Sequence, residues 1–157
     1  MHFSTKTDIE APVAFVHAAL TDFDGWETAA LRRGAEVTRT DKLRAPGPGM
    51  SWKARFRFRG KERELDLRLT EVEPEARLAF AGNSKMLDGT MSVEMVSLAP
   101  HRTRLVGHVT VQPLTLGARL LMQSAKLARG KIQARLNKRM AQLALDIEQR
   151  YASTKRR

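Results

Sequence analysis

The side chains best suited to chemistry are few in this sequence, and they lie far apart. His2, His17, His101 and His108 do not have the spacing of metal ligands, and the chain has no cysteine. Arg63 is expected at the end of a strand. His17 is expected beside an apolar helix face, where a histidine usually forms a hydrogen bond within the packing. These residues indicate no metal site and no catalytic group, and we expect no cofactor.

The side chains that should face the interior are almost entirely apolar. Alternation along the strands predicts that the inner face consists of Trp52, Ala54, Phe56, Phe58, Leu65, Leu67, Leu69, Leu78, Phe80, Gly82, Met91, Val93, Met95, Leu105, Gly107, Val109 and Val111. None of these residues titrates near neutral pH. Acid–base catalysis needs a titratable group beside the reacting atom, and covalent catalysis needs an activated nucleophile. The interior therefore favours holding a molecule over transforming one.

Strands and helices that would position these residues follow each other without a linker or repeat. A strand from His2 to Glu10 precedes two short helices between Pro12 and Gly34. Six further strands extend to Gln112, and a helical pattern covers Leu116 to Tyr151. Because the strands are joined by hairpins, we expect an antiparallel sheet of about seven strands. The sequence thus predicts one α+β domain in which the last helix covers the sheet.

One hairpin is predicted in detail. The two residues Gly60-Lys61 suit a type II′ turn, since glycine comes first. This turn would place Arg57 opposite Glu64 and Trp52 opposite Leu69. Opposite charges then meet on one face and apolar side chains on the other.

The last helix carries an apolar stripe with a spacing of three and four residues. The stripe comprises Leu121, Ala125, Ala128, Ile132, Leu136, Met140, Leu143 and Ile147. Gly130 is the weak point at which we expect a kink. The stripe is thin at Ser124, Ala125 and Ala128, and Gly82 and Gly107 face it from the sheet. Small side chains on both walls predict unfilled volume between them.

The positive charge is concentrated at the end of the chain. The whole sequence has a net charge of +11. Residues 115–157 contain 11 basic and 2 acidic residues, a net charge of +9. Such a field attracts polyanions such as RNA or an anionic membrane surface. A well-solvated helix face is the alternative interpretation of the same pattern.

The start of the chain supplies a family resemblance. Ile9-x-Ala11-Pro12-x-x-x-Val16-x-x-x-Leu20-x-Asp22-Phe23-x-x-Trp26, with the order of elements, resembles the START-like superfamily of lipid-transfer START domains, Bet v 1-type proteins and polyketide cyclase-like proteins. His17 departs from the pattern, which often has a large aromatic residue there. The resemblance implies a helix-grip fold, in which a bent antiparallel sheet wraps the C-terminal helix around an apolar cavity. It also implies a single START-like domain over residues 1–151, followed by a basic tail at 152–157.

The preferred hypothesis is a module that binds a lipid, isoprenoid or aromatic compound in an internal apolar cavity. The residues expected to line the cavity are Trp52, Phe56, Leu67, Phe80, Met91, Met95, Val109, Leu121, Ala125 and Ala128. A densely packed core that binds nothing is the structural alternative. Two functional alternatives are an enzyme of the polyketide cyclase type and an interaction protein that contacts RNA, ribosomes or anionic membranes.

The interaction surface in the last alternative would be basic. It would comprise Arg129, Arg135, Lys138 and Arg139 on the C-terminal helix. The absence of cysteine and of an apolar leader agrees with a cytoplasmic protein. The sequence leaves the ligand and the oligomeric state open.

Overall fold

The computed structural model describes residues 1–155 and contains one seven-stranded antiparallel sheet. The strands are β1 (His2–Ile9), β2 (Glu36–Arg39), β3 (Ser51–Phe58), β4 (Lys61–Glu73), β5 (Arg77–Asn83), β6 (Leu87–Ala99) and β7 (Arg102–Pro113). Their order across the sheet is β1-β7-β6-β5-β4-β3-β2. The predicted α+β class and strand count are confirmed.

Four helices accompany the sheet. They are α1 (Val13–Leu20), α2 (Phe23–Arg32), α3 (Leu116–Leu127) and α4 (Arg129–Lys155). The Asp22 carboxylate accepts a hydrogen bond from the Gly25 N–H and caps α2, and Thr115 caps α3 in the same way through the Ala118 N–H. Two short helices after β1 and a long C-terminal helix give the helix-grip arrangement that the resemblance implies.

The C-terminal helix is interrupted at Ala128, two residues before the predicted kink at Gly130. The Ala128 N–H is shared between the carbonyl oxygens of Ser124 and Ala125, at 3.2 and 3.1 Å. This tighter final turn ends α3, and α4 begins at the next residue. The long C-terminal helix is therefore present as predicted, in two segments that meet at this break. Residues 152–155 of the predicted tail continue α4, whereas Arg156 and Arg157 lie outside the described residues.

The β3–β4 hairpin differs from the predicted one by two residues. Arg59 and Gly60 occupy the turn with positive φ angles of 52° and 74°, as a type I′ turn requires. Trp52 is consequently opposite Leu67, and Phe56 is opposite Arg63. Since two residues are one full strand period, each side chain keeps its predicted face. The pairing along each face is what changes.

Helix α4 lies along β1, the first edge strand of the sheet, and runs in the same direction. The contacts are hydrogen bonds from Arg129 Nη2 to His2 O (2.8 Å), from Gln133 Nε2 to Ser4 O (2.8 Å) and from the Glu10 N–H to Glu148 Oε1 (3.0 Å). Side chains of α4 satisfy two carbonyl groups on this edge of the sheet. The helix is thereby fixed near β1 and β7.

Two apolar clusters form the core. The helix-side cluster joins β1, α1, β5, β6, β7 and α4 and contains Ile9, Ala11, Val16, Leu20, Leu78, Met95, Leu105, Ala144 and Ile147. The tryptophan cluster joins α2 to β3 and β4 and contains Phe23, Met50, Trp52 and Leu69. Phe80 packs against both clusters. The remainder of the inner face lies beyond these two packed regions.

Candidate functional site

The inner face of the sheet is packed at one end and accessible at the other. Met91 and Met95 lie on the same face of β6, because their positions differ by four on one strand. Met95 belongs to the helix-side cluster, so this face is the inner one. Met95 is 5% exposed, whereas Met91 is 39% exposed. The register places Met91 between Phe80 on β5 and Val109 on β7. The apolar strip of the inner face around Met91 is thus accessible to solvent.

Other strands continue this strip. We call it the apolar groove and define it by the inward-facing residues Phe56, Leu65, Leu67, Phe80, Met91 and Val109, of which Met91 is exposed and the others are half-buried. On the helical side, Leu121, Ala125 and Ala128 are also half-buried. Apolar side chains that are neither packed away nor isolated on the surface are typical of a binding surface.

The structure places the ten predicted lining residues in two environments. Trp52 and Met95 are buried in the tryptophan cluster and the helix-side cluster. The indole ring of Trp52 lies 5.4 Å from the Phe23 ring and 6.4 Å from the Phe80 ring. These two residues support the groove from within the core. The other eight predicted residues are half-buried or exposed and remain candidates for direct contact with a ligand.

The two glycines that were expected to leave volume behave differently. A Cβ atom added to Gly107 would lie 3.0 Å from Met140 Cε, so a side chain of α4 already fills that space. A Cβ atom added to Gly82 would have Leu65 Cδ1 at 3.4 Å and Leu67 Cδ1 at 3.8 Å, both from β4. The helix therefore closes the interior at Gly107. At Gly82 the nearest atoms belong to the sheet.

Arg63 introduces one permanent charge into the groove. It precedes the inward-facing Leu65 by two residues on β4, so both side chains lie on the inner face, and it pairs with Phe56. Its Nη1 group contacts the Met86 sulfur at 3.0 Å. Its Nε atom is buried and, within residues 1–155, has no hydrogen-bond partner. A buried donor without an acceptor is energetically costly.

Arg63 was expected at the end of a strand and is the third residue of β4, but the wrong hairpin register missed its pairing with Phe56. The predicted pairing placed Phe56 opposite Leu65 and left the arginine near the turn. In the observed register Arg63 moves to the place opposite Phe56. The positive-φ turn at Arg59-Gly60 is the feature that decides this, and a glycine in the second turn position was the available signal.

Glu27 is a second charged group that the sequence interpretation did not single out. The Trp52 Nε1–H donates a hydrogen bond to Glu27 Oε1 over 2.8 Å. Glu27 follows the buried Phe23 by four residues on α2, which places both side chains on one face of the helix. That spacing was a signal in the sequence. The carboxylate is occupied by the indole and holds the tryptophan cluster against α2.

The histidines have local partners. His17 Nδ1 accepts a hydrogen bond from the Glu75 N–H at 3.3 Å. His101 Nδ1 lies 3.1 Å from the Tyr151 hydroxyl oxygen. Among the described residues, no three histidine or carboxylate side chains come together in a way that would hold a metal ion.

Two depressions lie outside the groove, and charged or polar residues contribute to the wall of each. One of about 260 Å³ lies beside β2 and β3 and includes Thr38, Lys53 and Arg55. The other, of about 250 Å³, lies between the start of α2 and the loop that follows β2, and Asp22 and Arg39 contribute to its wall. These groups suit water and ions better than an apolar molecule.

The predicted basic surface residues are exposed on α4. Arg129 has a structural role, because its guanidinium group bonds to His2 O and lies 4.9 Å above the Phe3 ring centre. Arg135, Lys138 and Arg139 form no ion pair within the part of the chain that the structure describes. No helix in residues 1–155 is long and apolar enough to cross a bilayer.

Several solved structures share this fold. The aromatase/cyclase Zhui from Streptomyces sp. R1128 is 14% identical, with a TM-score of 0.69 and coverage of 96% of this chain and 94% of that chain. A START superfamily protein from Mycobacterium smegmatis is 13% identical, with a TM-score of 0.61 over 90% and 98% of the chains. Ara h 8.0201 is 14% identical, with a TM-score of 0.61 over 98% of each chain. At these identities the likeness shows a common fold.

The family assignment comes from the sequence as a whole. No curated protein sequence matches this chain. Residues 1–148 match the family described as "Polyketide cyclase / dehydrase and lipid transport". Since this match covers nearly all of the chain that forms the sheet and α4, the protein belongs to the polyketide cyclase/dehydrase and lipid transport family and has its START-like, helix-grip fold.

Proposed function

We propose that this protein binds a small hydrophobic molecule, such as a lipid, isoprenoid or aromatic compound, in the apolar groove. The main support for this proposal is the difference in solvent exposure between Met91 and Met95. Both are inward-facing methionines on one strand, yet only Met95 is covered by the protein itself. Flexible, polarisable methionine side chains adapt to ligands of varied shape. A ligand in the groove would bury Met91, as the core already buries Met95 on the same face of the sheet.

The family supports this function in general terms. Its description includes lipid transport as well as cyclases and dehydrases, and Zhui is an aromatase/cyclase. Both activities need an apolar interior that accepts a molecule larger than water. The partial exposure of the apolar residues Phe56, Leu67 and Met91 on the inner face supports the proposal.

Arg63 adds a chemical preference to the proposed ligand. Its buried Nε–H group is a donor that has no acceptor within the described residues. A carboxylate or carbonyl oxygen at one end of an otherwise apolar molecule would accept this hydrogen bond. We therefore expect the groove to prefer a ligand with one oxygen-bearing end over a pure hydrocarbon.

Titration with an apolar fluorescent probe tests the proposal. We expect 1-anilinonaphthalene-8-sulfonate to bind in the groove, because it combines aromatic rings with an anionic end. Met91→Gln should weaken binding by about threefold to tenfold, because it makes one wall polar. Val96→Gln is the matched control, since Val96 is exposed on the opposite face of β6. Equal affinity of the Met91→Gln and wild-type proteins would contradict binding in the groove.

A second experiment identifies the natural ligand. Native mass spectrometry of protein purified from its own host should show a co-purifying apolar compound with an oxygen-bearing end. Arg63→Met should lower the occupancy of that compound, because the substitution keeps the length and removes the donors. Occupancy that is unchanged by Arg63→Met would remove Arg63 from the proposed site.

A cyclase is the second candidate function, and Arg63 is the observation that favours it. An arginine beside a bound substrate can stabilise the negative charge that develops on an oxygen during an intramolecular condensation. The half-buried apolar walls would fold a long reactive chain. Incubation with a linear polyketide mimic, followed by chromatography, would distinguish the two: cyclised product formed by wild type and lost in Arg63→Met supports the enzyme.

A further inference from the structure

Helix α3 is apolar on two opposite faces. Its inner face contains Ala118, which is fully buried, and Leu121 and Ala125, which are half-buried. Its outer face contains three leucines with much larger exposure: Leu116 (75%), Leu120 (59%) and Leu127 (93%). Spacings of four and seven residues place these three leucines along a single stripe. We call them the outer leucine stripe.

An exposed stripe of this kind is unusual for a helix whose opposite face already packs on the protein. Helices at a protein surface normally present polar groups to water, and only one face is apolar. Burying a leucine is favourable because it removes apolar surface from water. The outer leucine stripe therefore has a strong tendency to be covered.

The charge beside the stripe is positive. Arg119 and Lys126 are exposed on α3, and Lys131 is exposed just after the break. The sequence contains no acidic residue from Leu114 to Leu145. Exposed leucines with cationic side chains along one flank form the pattern of a helix that lies in the interface of an anionic bilayer. The charge also extends along α4 and would attract anionic lipids before contact.

We propose that the outer leucine stripe of α3 docks onto the surface of an anionic lipid membrane. The leucines enter the boundary between headgroups and acyl chains, and Arg119 and Lys126 bind lipid phosphates. This inference goes beyond ligand binding in the groove and does not depend on it, because the stripe lies on the face of α3 opposite Leu121 and Ala125. Docking is peripheral and leaves the fold unchanged.

Two other occupants fit the stripe less well. Single-stranded nucleic acid is bound through phosphates and through stacking on aromatic side chains, and α3 contains no aromatic residue. A second copy of this chain, packed stripe to stripe, would bring Arg119 and Lys126 of both copies together. Like charges at such an interface repel each other, whereas a phosphate-rich surface pairs with them.

Vesicle co-sedimentation tests the docking. Vesicles of phosphatidylcholine mixed with phosphatidylglycerol should bind the protein in low salt, and vesicles of phosphatidylcholine alone should bind it much less. The double variant Leu120→Gln/Leu127→Gln should lose affinity by about tenfold or more, because two apolar side chains no longer enter the interface. Leu145→Gln is the matched control, since Leu145 is 56% exposed on α4 beside Asp146. It should bind like wild type.

A second readout reports insertion directly. Leu116→Trp places a fluorophore at an exposed position of the stripe, and its emission should shift to shorter wavelength with the mixed vesicles. Arg119→Gln/Lys126→Gln should weaken binding and reduce its salt dependence.

Three outcomes would overturn the proposal. The first is that Leu120→Gln/Leu127→Gln sediments with mixed vesicles as well as wild type does. The second is that wild type binds a homopolymeric RNA and not the vesicles. The third is a wild-type dimer in light scattering that this double variant dissociates. None of these results would alter the probe titration of the groove, so the two proposals can fail separately.

Discussion

The Nε1–H of Trp52 donates a hydrogen bond to Glu27 Oε1 over 2.8 Å, and this bond ties β3 to α2. Trp52 is almost fully buried, with Phe23 and Phe80 against its ring. We expect Glu27→Ala to lower the free energy of unfolding by about 1 to 3 kcal/mol, because it leaves a buried indole N–H without an acceptor. Urea unfolding monitored by tryptophan fluorescence measures the change.

The control for this bond is Glu27→Gln, which keeps an acceptor oxygen in the same place. It should cost clearly less than the alanine variant. Equal unfolding free energies for Glu27→Ala and wild type would mean that the hydrogen bond contributes nothing to stability.

Substitutions at the two inward-facing methionines of β6 should distinguish a side chain that stabilises the fold from one that is available for binding. Met95→Ala removes a buried side chain from the helix-side cluster and should cost about 2 to 5 kcal/mol. Met91→Ala should cost less than about 1 kcal/mol, because its side chain is already accessible to water. Thermal and urea unfolding of both variants check the contrast. Similar costs at the two positions would show that the apolar groove is closed in solution.

Replacing glycine with alanine should lower the free energy of unfolding at one position and raise it at another. A Cβ atom added to Gly89 would lie 3.1 Å from the backbone oxygen of Thr110, and a backbone atom in a paired strand has little room to move. We expect Gly89→Ala to destabilise the protein by about 1 to 3 kcal/mol.

At Gly130, in the first turn of α4, the added atom would meet nothing within 4 Å among the described residues outside its own helix backbone. Gly130→Ala should therefore raise the free energy of unfolding by about 0.5 to 1 kcal/mol. Calorimetric melting curves of the two variants should move in opposite directions from wild type. A stabilising Gly89→Ala would contradict the packing described for β6 and β7.

Acid should weaken the loop that joins β2 to β3. The Asp41 carboxylate accepts hydrogen bonds from the Arg39 side chain and from the N–H groups of Ser51 and Leu43, and these interactions, with that of Arg39 first, hold its pKa well below the ordinary value of 3.8. A depressed pKa means that this contribution is complete above the ordinary pKa and is lost as the pH falls below it.

Asp41→Asn removes that dependence and serves as the test. The variant should be less stable than wild type at neutral pH, and the difference should shrink as the pH is lowered through 3.8 towards 2. Urea unfolding at a series of pH values measures it. A difference that stays constant over this range would show that Asp41 titrates normally in the folded protein.

Strand alternation is the part of the fold that the sequence specifies best. The period-two alternation of apolar residues and the positions of the turn residues determine which face each side chain occupies. The inward orientation of Phe56 and Met91 could therefore be predicted. The register of the hairpin was not. A shift of two residues preserves both faces, and only the turn conformation at Arg59-Gly60 decides between the two pairings. The place of Arg63 depends on that turn.

Helix coverage of the sheet was harder to predict because it depends on tertiary packing. One apolar stripe predicted one long helix with a kink at Gly130, and the break lies two residues earlier, at Ala128. The space beside Gly107 was expected to be open, and the long side chain of Met140 reaches into it. The outer leucines of α3 were part of the same helical pattern, and periodicity alone did not reveal that they would remain exposed.

The contact between α4 and β1 has a consequence for synthesis on the ribosome. β1 is translated before the other strands and helices of this fold, yet its ladder partner β7 and its covering helix α4 come more than a hundred residues later, as the pairs Ser4 with His108 and Ser4 O with Gln133 Nε2 show. A contact that spans the chain cannot form while the later segment is still inside the exit tunnel. The nascent N-terminal strand must therefore wait unpaired, and it acquires its neighbours only when the last elements have emerged.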